Sequence, residues 1–483
     1  MKPLVGMYVH CHWAYNHPYA ARTWTLDDWR SYARGLSALG YNFVLIWPVL
    51  ETMPDPPTAS DIAQLEKIGK VIDLLHSEFK MAVYITLGPN TIGSAKAAQF
   101  AWEQRPFFDT DLRLNPGDPA EVERLLRVRR QQIKHIAHAD GFSIIDSDPG
   151  GYVGSTNAEF ADLMMRHFDL WREFNPSARL YYWMWVGWES YNRFWENVHK
   201  AGEFSITWDE KDWTETLELL LGRGDDNWGV FACGPGHQKV TEQMGLEDRA
   251  IFFPYGLVEG EPTFPLTNCF PQRIEEDMRR HKPSVYEGAM ANAQTHAVQQ
   301  PNTYLFAHFA RGGTASEIDL PGFADGLIPG LGEPISEAWQ VINTEHTKRA
   351  RKLAALLKAE SVRPHAEGPY SGLLLGRPEC YLEDLSMQLA FAADIQDFAR
   401  TADSGGSSMP HLRALVGSWR EWMSQTGFAD AYHGPVHTTL HPALAKLNTP
   451  AINAVLHDFD DWRNPSVRHG IVRRLLEAIS KAG

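Results

Sequence analysis

The feature that most constrains this chain is an alternation. Over roughly the first 310 residues, short apolar runs and longer stretches with helical spacing take turns eight times. The apolar runs are Leu4 to Val9, Asn42 to Trp47, Met81 to Leu87, Phe142 to Ile145, Leu180 to Val186, Trp228 to Ala232, Ala250 to Tyr255 and Tyr286 to Gln294. Apolar runs of this length, bounded by turn residues, read as strands buried on both faces. The stretches between them carry helix punctuation. Thr25 precedes Leu26, Trp29, Tyr32, Ala33, Leu36 and Leu39 at helical spacing, and Gly40 stops the run. Ser60 opens a second helix, Asp118-Pro119 a third and Ser155 or Thr156 a fourth, with later helices near Asp212 to Gly222, Ile274 to His281 and Asn302 to Ala310. Residues 91–117 show no period and read as a long loop, a length that usually serves function. Strand–helix–strand repeats make parallel neighbours, because a parallel pair needs a crossover. Eight such units close most naturally into a (β/α)8 barrel. An open doubly wound sheet is the alternative, but no Gly-rich nucleotide fingerprint follows the first strand.

Beyond Gly332 the texture changes. Ser336 to Ala359, Tyr381 to Thr401, His411 to Ser424 and Val467 to Lys481 read as amphipathic helices with no strand between them, and Asp403 to Ser408 as a flexible connector. The division expected is a barrel over residues 1–332 and an α-helical domain over 333–483, the latter packed on the barrel or joining subunits of a homo-oligomer. A net charge of −15, with Lys and Arg scattered, argues against nucleic acid and anionic membranes as partners. The four cysteines form no CxxC pair, so a zinc knuckle or dithiol site is not expected, and neither is any other cofactor. No signal-peptide core and no apolar run of spanning length is present, which reads as cytoplasmic.

Barrel active sites lie at the C-terminal ends of the strands. The fourth apolar run ends there in two acids, within Gly141 to Gly151, GFSIIDSDPGG. Strand side chains alternate, so Asp146 and Asp148 are expected on one side. Carboxylates at the end of a buried strand are costly unless used, and Pro149-Gly150-Gly151 turns the chain away to leave them at a rim. Glycosidic cleavage needs an acid for the leaving oxygen and a second group at the oxocarbenium-like centre. Asp148 is the expected acid and Asp146 its orienting or stabilising partner, with Glu189 and Glu259 in reserve past the fifth and seventh strands. Other strand-end residues suit a neutral, polyhydroxylated substrate: His10, His12, Trp47, Asn90, Trp183, Trp185, Tyr255, Asn292 and Gln294. The bland readings are an Asp that caps the next helix, core tryptophans and solvated loop carboxylates. His10 and His12 also admit a shared divalent ion, completed by His237 or His296. Strands four and five end in DSD and WVGWE, without the Lys or His that HxH-type hydrolases need, so the histidines are expected to hydrogen-bond sugar or neighbours and no metal is assigned.

Residues 21–48, 114–126, 144–160 and 286–313, including LNPGDPAEVERLL and IIDSDPGGYVGSTNAEF, resemble glycoside hydrolase barrels. The likeness is to family 20-like hexosaminidases, more loosely to family 84 and to the family 67 and 115 alpha-glucuronidases. It implies that Asp148 is the general acid and that Asp146 orients a substrate acetamido group which itself attacks. It also implies that Trp183 and Trp185 wall the terminal sugar and that Tyr255 donates a hydroxyl. Ser147 departs from the pattern, because the hexosaminidase acids are adjacent. The glucuronidase likeness implies a cation for the uronate, and no strand end supplies one. The function expected is a glycosidase acting on a terminal N-acetylhexosaminide or uronide. The alternatives are a non-catalytic carbohydrate-binding barrel and a metal-dependent sugar isomerase or hydrolase built on His10 and His12.

Overall fold

The computed structural model describes residues 3–11, 20–105, 111–201, 208–258, 266–280, 285–292, 296–342, 344–404, 408–426, 439–460, 474 and 476–481. Eight parallel strands form a closed barrel: β1 (Leu4–His10), β2 (Phe43–Trp47), β3 (Ala82–Leu87), β6 (Gly141–Ile145), β7 (Arg179–Met184), β8 (Trp228–Ala232), β9 (Ala250–Phe252) and β10 (Gly288–Asn292), which returns to β1. Each expected strand is present. The fifth stops at Met184 rather than Val186, because the Trp185 and Val186 amides leave the ladder for the Asp146 carboxylate. The eighth begins at Gly288 rather than Tyr286 and is described as far as Asn292.

The crossover helices are α1 (Leu26–Leu39), α2 (Ala59–Leu74), α3 (Pro119–Ile133), α4 (Asn157–Arg172), α5 (Trp188–Ala201), α6 (Glu210–Leu221), α7 (Pro235–Gln243), α8 (Pro271–Arg280) and α9 (Gln300–Ala310). Reciprocal capping boxes start three of them: Thr25 with Asp28, Thr58 with Asp61 and Thr156 with Glu159. Thr58, not Ser60, therefore opens α2. Two of these crossover helices were not read from the sequence. Both α5 and α7 begin within four residues of a strand end, where Trp188-Glu189 and Pro235-Gly236-His237 look like loop. The aperiodic stretch after β3 also has structure. A two-stranded antiparallel ribbon pairs β4 (Thr91–Gly93) with β5 (Asp111–Arg113), three residues each and too short to show a period.

The barrel's upper interior is aromatic. The Tyr8 ring meets Trp183 edge-on at 5.2 Å and Phe253 at 5.8 Å, and Trp183 meets Phe253 at 5.1 Å and Trp47 at 6.0 Å. These rings plug the barrel beneath its mouth, and each fully buried one stabilises the fold by roughly 2–3 kcal/mol through area removed from water.

After the barrel come α10 (Leu320–Leu327), α11 (Gly332–Val341), α12 (Thr347–Glu360), α13 (Pro378–Asp403), α14 (Met409–Thr426), α15 (His441–Lys446) and α16 (Pro450–Asp460). The single helix expected from Ser336 to Ala359 is thus two, α11 and α12. Of Val467 to Lys481, only 474 and 476–481 are described, and they are helical. Gly405 to Ser407 of the expected connector lie outside the described residues. This helical region touches the barrel. Arg377 pairs with Asp28 of α1 at 2.8 Å, and the Gln388 side chain accepts from the Thr267 amide at 2.7 Å. Among the described residues no helix is long and apolar enough to cross a membrane.

Candidate active site

The exit of β6 separates its two acids. Asp146 follows the strand directly and is fully buried. Its Oδ2 accepts from the Tyr182 hydroxyl and the Trp185 amide, both at 3.0 Å, and its Oδ1 from the Ser147 hydroxyl at 2.9 Å and the Val186 amide at 3.1 Å. Four donors fill its two oxygens and pin the exit of β7 to that of β6. Burial still pushes its pKa up to about 6, against the hydrogen bonds that pull it down.

Asp148 is held differently. The strand has ended at Ile145, so side-chain alternation does not carry through to it; the residue sits in the left-handed region at φ 48° before a cis Pro149. Its carboxyl is partly exposed and, among the described residues, makes no hydrogen bond or ion pair. Burial pushes it, too, up to about 6, and Arg113 alone pulls the other way. Burial is the largest cause in both, and the charge of Asp146 does not figure in the shift of Asp148. The expected mutual repulsion is therefore not what sets them; each is raised by loss of water.

Three loops enclose Asp148. Gly88, after β3, lies so close that a Cβ there would stand 2.8 Å from the Pro149 carbonyl oxygen and 3.0 Å from Cγ of Glu51. Glu51 is fully buried, accepting from Trp47 Nε1 at 3.0 Å and from the Gly88 amide. Asn90 donates to the Leu114 carbonyl at 2.7 Å and the Gly151 carbonyl at 3.1 Å, clamping the ribbon against the Asp148 turn. Gly151 has φ +83°, and a side chain there would strike the Tyr191 ring at 2.9 Å. The charge of Asp148 raises the pKa of both Tyr8 and Tyr191. Arg113, at the end of β5, lays its guanidinium 4.7 Å over the Trp195 ring. It came from the stretch without a period and was not foreseen.

The remaining expected residues divide. His10 is buried with its ring 4.7 Å from Trp47, and Trp183 lies in the aromatic plug. Trp185 and Tyr255 pack edge to face at 4.7 Å on the rim, and Trp208, 51% exposed, extends that shelf at 6.3 Å from Trp185. Asn292 is buried and accepts from the Gly256 amide at 2.9 Å, bracing the exit of β9. Glu189 lies in the first turn of α5, where it accepts from the Asn157 amide at 3.0 Å and faces Arg193 at 3.6 Å. The first of these contacts ties it to the start of α4. His12, Glu259 and Gln294 lie outside the described residues. His237 bonds the Trp185 carbonyl at 2.8 Å and is pushed down to about 4 by burial; His296 meets the Tyr32 hydroxyl at 3.0 Å and is pushed down to about 3. These two do not converge with His10, and among the described residues no His, Cys, Asp or Glu cluster has the form of a metal site.

No family model matches the chain, and no curated protein matches it. Among solved structures it is similar to an enzyme of glycoside hydrolase family 138 targeting pectin rhamnogalacturonan II. Identity there is 10% and the TM-score 0.48, covering 96% of this chain and 69% of that one. It is also similar to a family 89 glycoside hydrolase from Clostridium perfringens, at 10% identity and TM-score 0.44, covering 98% of this chain and 58% of that one. The glycoside hydrolase domain of PgaB from Bordetella bronchiseptica stands at 11% and 0.40, covering 65% and 100%. Likeness at this level bears on no residue of the site. The likeness to family 20 and its relatives rests on the residues quoted above alone.

Proposed function

We propose that the protein is a glycoside hydrolase in which Asp148 is the general acid. The observation that carries this reading is the state of that carboxyl: at a barrel strand exit, desolvated, without a hydrogen-bond partner among the described residues, and raised to about 6. A structural carboxylate is normally satisfied by donors, as Asp146, Glu51 and Glu189 are here. An unsatisfied, partly dry one is suited to hold a proton near neutrality and give it to a leaving oxygen. Asp146 is then a positioning residue: its four hydrogen bonds fix the turn from which Trp185 reaches the rim. Trp185, Tyr255 and the exposed Trp208 offer apolar faces for sugar rings. The substrate is a terminal, modified sugar.

A panel of chromogenic glycosides, assayed with the wild type and Asp148→Asn, tests the assignment. The acid predicts loss of turnover in the variant; undiminished turnover removes it. One observation favours a second reading, a carbohydrate-binding barrel without catalysis. Asp148 is the sole strand-exit carboxyl among the described residues that is free of protein donors, and hydrolysis requires a second group. Calorimetric binding of oligosaccharides with no turnover of any glycoside supports that reading instead.

A further inference from the structure

Arg113 is an odd neighbour for a general acid. A cation holds a carboxyl's proton less tightly, and Arg113 is the one group that pulls Asp148 down against its burial. The side chain is 27% exposed, and its nearest carboxylate among the described residues, Asp111, stands at 3.8 Å, beyond hydrogen-bond reach. Among the described residues its N–H groups make no hydrogen bond; the Trp195 face at 4.7 Å and the loose ion pair with Asp111 hold it. Its place is nonetheless built. Thr91 pairs with Arg113 across the ribbon, the Leu114 amide donates to the Asn90 carbonyl at 2.8 Å, and the Asn90 side chain bonds both Leu114 and Gly151. One amide thus fixes the residue after Arg113 and the residue three past Asp148.

We propose that Arg113 binds an anionic group on the terminal sugar, a carboxylate or a sulfate, while Asp148 serves the glycosidic bond. This rests on the glycosidase reading of Asp148. A guanidinium is the side chain whose fork matches a carboxylate or sulfate, and a ring beneath it keeps the fork oriented. The bound anion also resolves the oddity. Its charge offsets that of Arg113, so Asp148 holds its proton more tightly once substrate is in place. Ser147, Tyr8 and Tyr191 offer no positive charge, and the notion of a wholly neutral substrate, drawn from strand ends alone, overlooks the ribbon.

The test compares kcat/KM of the full-length protein on 4-nitrophenyl glucuronide and galacturonide, on glucoside and galactoside, and on 6-sulfated hexosides. Wild type is expected to prefer an anionic substrate, and whether uronide or sulfate leads names the anion. Arg113→Gln is expected to lose roughly 10- to 100-fold on it, the worth of a hydrogen bond to a charged group. On the neutral parent Arg113→Gln should show no such loss, since removing the cation only tightens the hold of Asp148 on its proton, and Arg113→Lys should recover part of the loss on the anionic substrate. Preference of the wild type for the neutral parent, or an equal loss on both in Arg113→Gln, overturns the inference. If Asp148→Asn abolishes turnover while Arg113→Gln leaves selectivity unchanged, only this inference fails. If Asp148→Asn is fully active, the glycosidase reading fails first. If no glycoside is turned over, calorimetry with glucuronate and galacturonate against glucose and galactose decides. Uronate binding lost in Arg113→Gln supports the site; no preference for the acids overturns it.

Discussion

Replacing Asp148 by Asn should make the protein more stable at neutral pH while removing its activity. The carboxyl is raised from 3.8 to about 6 by burial, with no hydrogen bond to lose. Its folded value lies above its unfolded value, so the folded state binds the proton more tightly. The contribution of this group to stability is therefore greatest below about pH 4 and is lost as pH rises through the window up to about 6. Above that window the charged, partly dry carboxylate costs the fold its full penalty. Two units at about 1.4 kcal/mol each set an upper bound near 3 kcal/mol, and partial exposure brings the expected gain to about 1–3 kcal/mol. Asn keeps the shape and removes the charge. Urea denaturation of wild type and variant at pH 7 and pH 3.5 measures it. The gain should appear at pH 7 and vanish toward pH 3.5. An equal or less stable variant at pH 7, or a difference that ignores pH, refutes the reasoning that this carboxyl is held at a cost.

Asp146→Asn should gain less. Its carboxyl is also raised to about 6 by burial, but an amide nitrogen would face one pair of donors that the carboxylate now accepts, costing about 1–3 kcal/mol, so its urea midpoint at pH 7 should stay below that of Asp148→Asn. Glu189→Ala should cost about 0.5–2 kcal/mol by uncovering the Asn157 amide at the start of α4, yet leave kcat within about twofold; a collapse of kcat would return Glu189 to the chemistry. Trp208→Ala should leave stability nearly unchanged, because the ring is 51% exposed, while raising KM by roughly 3- to 10-fold if the rim shelf stacks a sugar.

The barrel was legible because each strand is a bounded apolar run and the first four helices open on a Thr or Asp cap. Boundaries slipped where side chains recruit backbone: β7 ends early because Asp146 takes the Trp185 and Val186 amides. The acidic pair was legible as a pair, but not its division of labour. Which acid meets donors depends on the left-handed turn at Asp148 and on where β7 stops, and both are tertiary facts. Arg113 was hidden for another reason. Its strand is three residues long, and an anion site on a ribbon leaves no trace in a scan of barrel strand ends. Glu189 illustrates the reverse: a carboxylate at the right place in the chain that also accepts from a neighbouring helix terminus.

The central claim, that Asp148 gives its proton to the leaving oxygen, is tested most directly by leaving-group dependence. The ratio of kcat/KM between wild type and Asp148→Asn is measured on a 2,4-dinitrophenyl glycoside, whose leaving group needs no proton, and on the corresponding methyl or methylumbelliferyl glycoside, whose leaving group does. A general acid contributes typically about 10²–10⁴-fold. The loss should approach that range on the poor leaving group and nearly disappear on the dinitrophenyl substrate. An equal loss on both, or none on either, contradicts the account.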